Sequence, residues 1–95
     1  MKFEWDENKN NINIAKHGIG FAEACSTFYD DEALLFDDPD HSEDEDRFLL
    51  IGMSRFTRVL TVSHCYRMDG EVIRIISARK ATKTETEYYL HGGEL

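Results

Sequence analysis

The sequence predicts an α+β fold, a mostly antiparallel sheet with helices covering one face. Three observations carry that prediction. Residues 48–78 hold three strand patterns in succession, joined by short loops, which favours antiparallel pairing. Asp69-Gly70, between the last two patterns, is a strong hairpin signal. Helical signals lie outside this block, before residue 30 and after residue 81. At 95 residues the chain is expected to form one domain, 1–95.

The elements follow in order. Phe3–Trp5 reads as a short strand. Asp6 is a good N-cap for a helix over 7–17. Gly18 suits the left-handed residue that ends it, with Lys16 and His17 beside its negative end. Phe21, Ala24, Cys25 and Phe28 recur at i, i+3, i+4 and i+7, the apolar stripe of a second helix. Ala33–Phe36 is a short strand, and 37–46, with Pro39, an acidic loop. Phe48–Ile51 is a continuous apolar run. Arg58–Tyr66 alternates: Arg58, Leu60, Val62 and His64 on one side, Val59, Thr61, Ser63 and Cys65 on the other. Val72–Ala78 is the last strand. Thr82-Lys83-Thr84-Glu85 is a capping box that opens a third helix, ending near Gly92. The order is β-α-α-β-β-β-β-α, with two N-terminal helices and one C-terminal helix.

Charge is divided along the chain. Residues 1–46 hold three lysines against 14 acids, and residues 47–95 hold eight Lys/Arg against five acids; the halves net −11 and +3 and together give −8. Segment 30–46 alone contains ten acids. The acidic total argues mildly against nucleic-acid binding, but a fold that separates the halves leaves room for a basic site. Cys25 and Cys65 lack CxxC spacing and no secretory signal precedes them, so reduced thiols in a cytoplasmic protein are expected. No apolar run approaches the roughly 18 residues of a membrane helix.

Within this acidic chain Arg74, Arg79, Lys80 and Lys83 fall within ten residues. On an unbroken strand Arg74 and Lys80 share a face and Arg79 points the other way; a bulge near Ser77-Ala78 is one way to bring them together. They read either as a phosphate clamp, since guanidinium forks match phosphate oxygens, or as a solvated strand end with Arg79 paired to the acidic loop. His64 reads either as a general base or acid or as a satisfied core histidine. Arg58 shares its face, about 20 Å along the strand. Lys16-His17-Gly18 reads first as a helix terminus, and Arg47, after four acids, as half of a salt bridge. Tyr88 or Tyr89 is a candidate for stacking on bases, the other for core packing. Asp37, Asp38, Asp40 and Glu43 form a solvated loop or a docking surface for a basic partner. That loop lacks the calcium pattern, and His41 and His91 belong to no HxxxH or HExxH motif, so no metal is expected. With no GxGxxG, P-loop or GxSxG, no cofactor and no serine hydrolysis are expected.

The stretches 3–24 (FEWDENKNNINIAKHGIGFAEA), 36–54 (FDDPDHSEDEDRFLLIGMS) and 74–85 (RIISARKATKTE) together resemble the BrnT family of type II toxin–antitoxin toxins. The resemblance implies a compact RelE-like fold and an endoribonuclease that arrests growth by cutting RNA. It also implies a BrnA-type ribbon-helix-helix antitoxin, with promoter DNA bound only through that partner. It brings in Trp5, Lys16-His17-Gly18, Arg47, Arg74 and Ser77-Ala78-Arg79-Lys80. Arg79 and Arg74 are then expected to stabilise the phosphate, Lys80 or Arg58 to hold the RNA backbone, and His64 to carry the proton, with Lys16-His17 as its substitute. The competing class is a non-catalytic partner or corepressor of a DNA-binding protein.

Overall fold

The computed structural model describes residues 1–39 and 46–94. The elements run β1 (Lys2–Glu4), α1 (Glu7–His17), α2 (Phe21–Ser26), a 3-10 turn (Thr27–Tyr29), β2 (Leu34–Asp37), β3 (Phe48–Met53), β4 (Val59–Arg67), β5 (Val72–Lys80) and α3 (Lys83–Leu90). The strands form one five-stranded sheet in the order β1-β5-β4-β3-β2. All neighbours are antiparallel except β1, which lies parallel to β5. The predicted element order and the mostly antiparallel sheet both hold.

Local chemistry sets the helix ends. The Asp6 carboxylate accepts from the Asn8 and Lys9 amides at 2.8 and 3.2 Å and starts α1. Gly18 ends it in the left-handed region at φ 72°. The α2 N-cap, Gly20, has no side chain; the Asn10 amide oxygen instead takes the Phe21 N–H at 2.8 Å. Thr82 and Glu85 complete the expected capping box of α3.

Helices lie on both faces, which corrects the one-face expectation. Ile19, Phe21 and Ala24 close a core against Leu60, Val62, Ile73, Ile75 and Ala78. Fully burying side chains such as Phe21, Leu60 and Ile75 contributes about 1.5–3 kcal/mol each. On the opposite face α3 packs Tyr88 against Phe36 of β2, and its Glu85 bonds Thr61 and Arg79. Antiparallel connectivity fixed the sheet but left each helix free to fall on either side. Gly52 lets the 3-10 turn press onto β3: a Cβ there would meet the Thr27 carbonyl oxygen at 3.1 Å.

Three backbone details position the site. The β4–β5 turn is carried by Met68 and Asp69, at φ 53° and 56°, with Gly70 following, so it reverses one residue ahead of the Asp69-Gly70 pair. Ser63 pairs with Ser77 while His64 pairs with Ile75, so Ile76 is an extra residue, a bulge in β5. Finally, β1 covers β5 only along residues 72–74. Further along, the buried Asn13 side chain of α1 takes over, donating to the carbonyls of Ala78 and Ile19 and accepting the Ala78 N–H, at 2.8, 2.8 and 3.1 Å. Its amide stands where another strand's peptide group would. Among the described residues no helix is long and apolar enough to cross a membrane.

Candidate functional site

The Ile76 bulge decides where the cations go. One extra residue flips the alternation, so Arg74, opposite Cys65, shares a face with Arg79, opposite Thr61. Lys80, opposite Leu60, points to the other face. The expected gathering of all three at one point is therefore corrected. Arg74 and Arg79 are five residues apart, roughly 15 Å along a strand. Arg74 sits at the β1 end, where Glu4 accepts from it at 2.7 Å and also faces Arg67 at 3.4 Å. Arg79 is gripped by Glu85 through both terminal nitrogens, at 2.7 and 3.0 Å, and among the described residues its carboxylate partner is Glu85 and not the acidic loop. Glu85 also accepts from Thr61 and from the Thr82 amide. The Arg79 bonds above all hold its carboxyl down to about 2.

His64 does not join the arginines. It lies fully buried on the α1/α2 face, edge-on to Phe28 at 4.8 Å, with Nδ1 3.2 Å from the Val62 carbonyl and Nε2 3.2 Å from the Tyr66 hydroxyl. Burial pushes its pKa down, against the Val62 bond that raises it. This is the geometry of a neutral core histidine. Tyr88 rests on Phe36 at 5.6 Å, beside β2 rather than at the end of β5, and Tyr89 is core, its hydroxyl donating to Asp30. Asp37 is exposed at the end of β2, and Asp38 follows it, its N–H bonded to the Arg47 carbonyl. Asp40, His41 and Glu43 lie outside the described residues.

A different set of cations lies at the end of the sheet where β5 stops and β4 starts. Asn13 fastens the last turns of α1 to Ala78, and Arg58 Nη2 donates to the Gly18 carbonyl at 3.3 Å. These two bonds hold the C-terminal end of α1, which carries Lys16, His17 and Gly18, at the end of the sheet where Leu60 pairs with Lys80. Arg58 and Lys80 are diagonal neighbours there, about 7–8 Å apart by sheet geometry. Lys16 and Lys80 are exposed and His17 is half-buried. Neither lysine has an ion-pair partner among the described residues, so this rim carries net positive charge on an acidic chain.

Arg58 is aimed by a group with no sequence signal. Glu23, one position from the apolar stripe of α2, is only 4 % exposed. Its carboxylate takes Arg58 Nε and Nη2 at 2.7 and 2.6 Å and the Ser54 hydroxyl at 2.7 Å. The Arg58 bonds first, and then the Ser54 bond, hold its pKa below the usual range against the burial that raises it, so it stays ionised. Among the described residues the pair leaves Arg58 Nη1 free to donate. Chemically, the rim offers a fixed guanidinium edge, two ammonium groups and one imidazole, a set able to hold and activate a phosphodiester.

Comparison with known proteins identifies the family. The family model described as "Ribonuclease toxin, BrnT, of type II toxin-antitoxin system" matches residues 5–85. Among solved structures, the ribonuclease toxin BrnT of Brucella abortus is similar, with 30% sequence identity and a TM-score of 0.65 over 87% of this chain and 99% of that one. No curated protein sequence matches the chain.

Proposed function

Because the chain belongs to the BrnT family of ribonuclease toxins of type II toxin–antitoxin systems, we propose that it cuts RNA at the rim formed by Lys16, His17, Arg58 and Lys80, without a metal ion. The observation that supports this most is that the C-terminal end of α1, Arg58 just before β4, and Lys80 at the end of β5 stand at one end of the sheet. Lys16 and Lys80 neutralise the RNA backbone. His17 takes the proton from the 2′-OH, whose oxygen attacks the adjacent phosphorus. Arg58, through its free edge, stabilises charge on the phosphorane. The P–O5′ bond then breaks, and the Lys80 ammonium gives the leaving 5′-oxygen its proton. The products are a 2′,3′-cyclic phosphate and a 5′-hydroxyl. Arg79, with Nε free beside its Glu85 pair, touches the flanking backbone; Arg74 is too distant for the reacting phosphate and is assigned no step.

The partner in this reading is a BrnA-like ribbon-helix-helix antitoxin that covers the rim and alone contacts promoter DNA. Its acidic residues occupy the phosphate positions, and its basic ones meet the segment from Asp37 and Asp38 through Asp40 and Glu43. Such a complex fits a toxin that works in the cytoplasm.

Cleavage of a defined RNA by purified protein tests the chemistry. Activity is expected to persist in EDTA and to fall at least 100-fold in Lys80→Ala and Arg58→Ala. Loss of cleavage in EDTA with recovery in magnesium, or full activity in both variants, overturns the assignment.

A further inference from the structure

Beside the rim, at the β3–β4 turn, lies an open cavity of about 330 Å3 lined by Ser26, Tyr29, Asp30, Met53, Ser54 and Arg55. We propose that it is a nucleobase subsite of the same RNA site, selecting a base with an exocyclic amino group over uracil. The proposal rests on the reading of the rim as the place where RNA is held.

Position is the first support. Met53 pairs with Val59, whose carbonyl accepts the Ala81 N–H at 3.0 Å, so the cavity wall and the end of β5 stand in one row. Two strand spacings separate them, about 10 Å, a gap that neighbouring nucleotides of one strand bridge. Ser54 belongs to both places, since its hydroxyl binds the Glu23 that aims Arg58.

The lining is the second support. Tyr29 is 65% exposed and Phe56, next to the cavity, 59%. The Arg55 guanidinium lies over the Phe56 ring, 5.0 Å from its centroid. Exposed aromatic faces and guanidinium planes are what unstacked RNA bases stack on. The Ser26 hydroxyl accepts the Arg55 N–H at 2.9 Å, which fixes the turn against α2. The volume is at the low end of small-molecule sites, about 300–1,000 Å3, which suits one base.

Asp30 supplies the selection. Burial pushes its pKa up, but bonds from the Tyr89 hydroxyl and the Met53 and Glu32 amides prevail and hold it low, so it is a carboxylate. A carboxylate offers about four acceptor positions; among the described residues three are used, two on Oδ2 and one on Oδ1. The remaining one on Oδ1 accepts from an amino group. The same charge repels phosphate, which leaves the backbone to Arg55 and the rim, and it faces carbonyl oxygens on either side of the only ring N–H of uracil.

Six-residue 2′-O-methyl oligomers of A, C or U bind without being cut, and amide NMR shifts locate them. A and C oligomers are expected to move Tyr29 and Arg55 together with Lys80, with U binding about 10-fold more weakly. Tyr29→Ala combined with Arg55→Ala, both at exposed positions, should lower A and C affinity about 10-fold and leave U unchanged. Shifts at Lys80 and His17 but none at Tyr29 or Arg55, or an unchanged preference in the double variant, overturn the subsite and spare the rim. Shifts at the cavity alone uphold the subsite and overturn the rim. Equal affinity for all three oligomers overturns the selection by Asp30.

Discussion

Replacing Glu85 with glutamine keeps size and shape but removes the charge that ties α3, β4 and β5 together. The native carboxylate receives two bonds from Arg79 and one each from Thr61 and the Thr82 amide. Glutamine still serves in a capping box. Its NH2, however, turns a donor toward one Arg79 nitrogen. A carboxyl held at about 2 instead of 4.5 corresponds at full strength to about 3 kcal/mol. The Arg79 side chain is 39% exposed, so solvent screening reduces this to about 1–2 kcal/mol. For a chain of this size that lowers Tm by roughly 5–12 °C. The sign in pH follows from the depressed pKa: the stabilisation is complete above the unfolded value of 4.5 and is lost as pH falls through the folded value near 2. Thermal melts of wild type and Glu85→Gln at pH 7, 4 and 3 isolate the group, because other carboxylates titrate equally in both. The gap should be widest at pH 7 and shrink to roughly half or less by pH 3. Equal melting at pH 7, or a gap that does not narrow in acid, refutes the reasoning.

Asn13→Ala should cost about 2–4 kcal/mol, measured by urea denaturation, because it leaves the buried polar groups of Ala78 and Ile19 without partners. Gly52→Ala should lose about 1–3 kcal/mol by the same measurement, since the added methyl crowds the Thr27 backbone. His64→Phe should retain RNA cleavage within about threefold of wild type, where a proton carrier would lose at least 100-fold. The folded-state pKa of His64 is depressed, so the unfolded chain binds the extra proton and wild-type stability falls as pH drops through about 6.5. Melts between pH 8 and 5 should show that loss diminished in His64→Phe.

Much of the fold is written in short-range chemistry. Asp6, Gly18 and the Thr82–Glu85 box mark helix ends through bonds to residues at most four positions away, and the alternation of β4 states which residues share a face. The site is not local in this sense. The Ile76 bulge leaves no mark in an uninterrupted run of strand-forming residues, yet it decides which face Arg74 presents. Glu23 sits one position from the apolar stripe of α2 and reads as a solvated acid; its meaning comes from Arg58, 35 residues later. Asn13 looks like an ordinary polar position of a helix until Ala78, 65 residues away, is placed beside it. Composition signalled that a basic half exists, and only the packing of α1 on β5 places Lys16 and His17, from the acidic half, at the same end of the sheet as Arg58 and Lys80 of the basic one.

The Asn13 amide has a consequence for how copies of this chain behave together. Outer strands with unpaired peptide groups invite a neighbouring molecule to continue the sheet, the first step of swapping and aggregation. β1, three residues long, is too short to shield β5, and Asn13 takes up the Ala78 peptide groups that an intruding strand would seek. At the other border β2 ends in the exposed Asp37, whose charge repels the same border of a second copy. Asn13→Ala should therefore reveal itself in light scattering near the melting temperature as well as in the melting temperature itself. A side chain that looks like internal packing also keeps molecules apart.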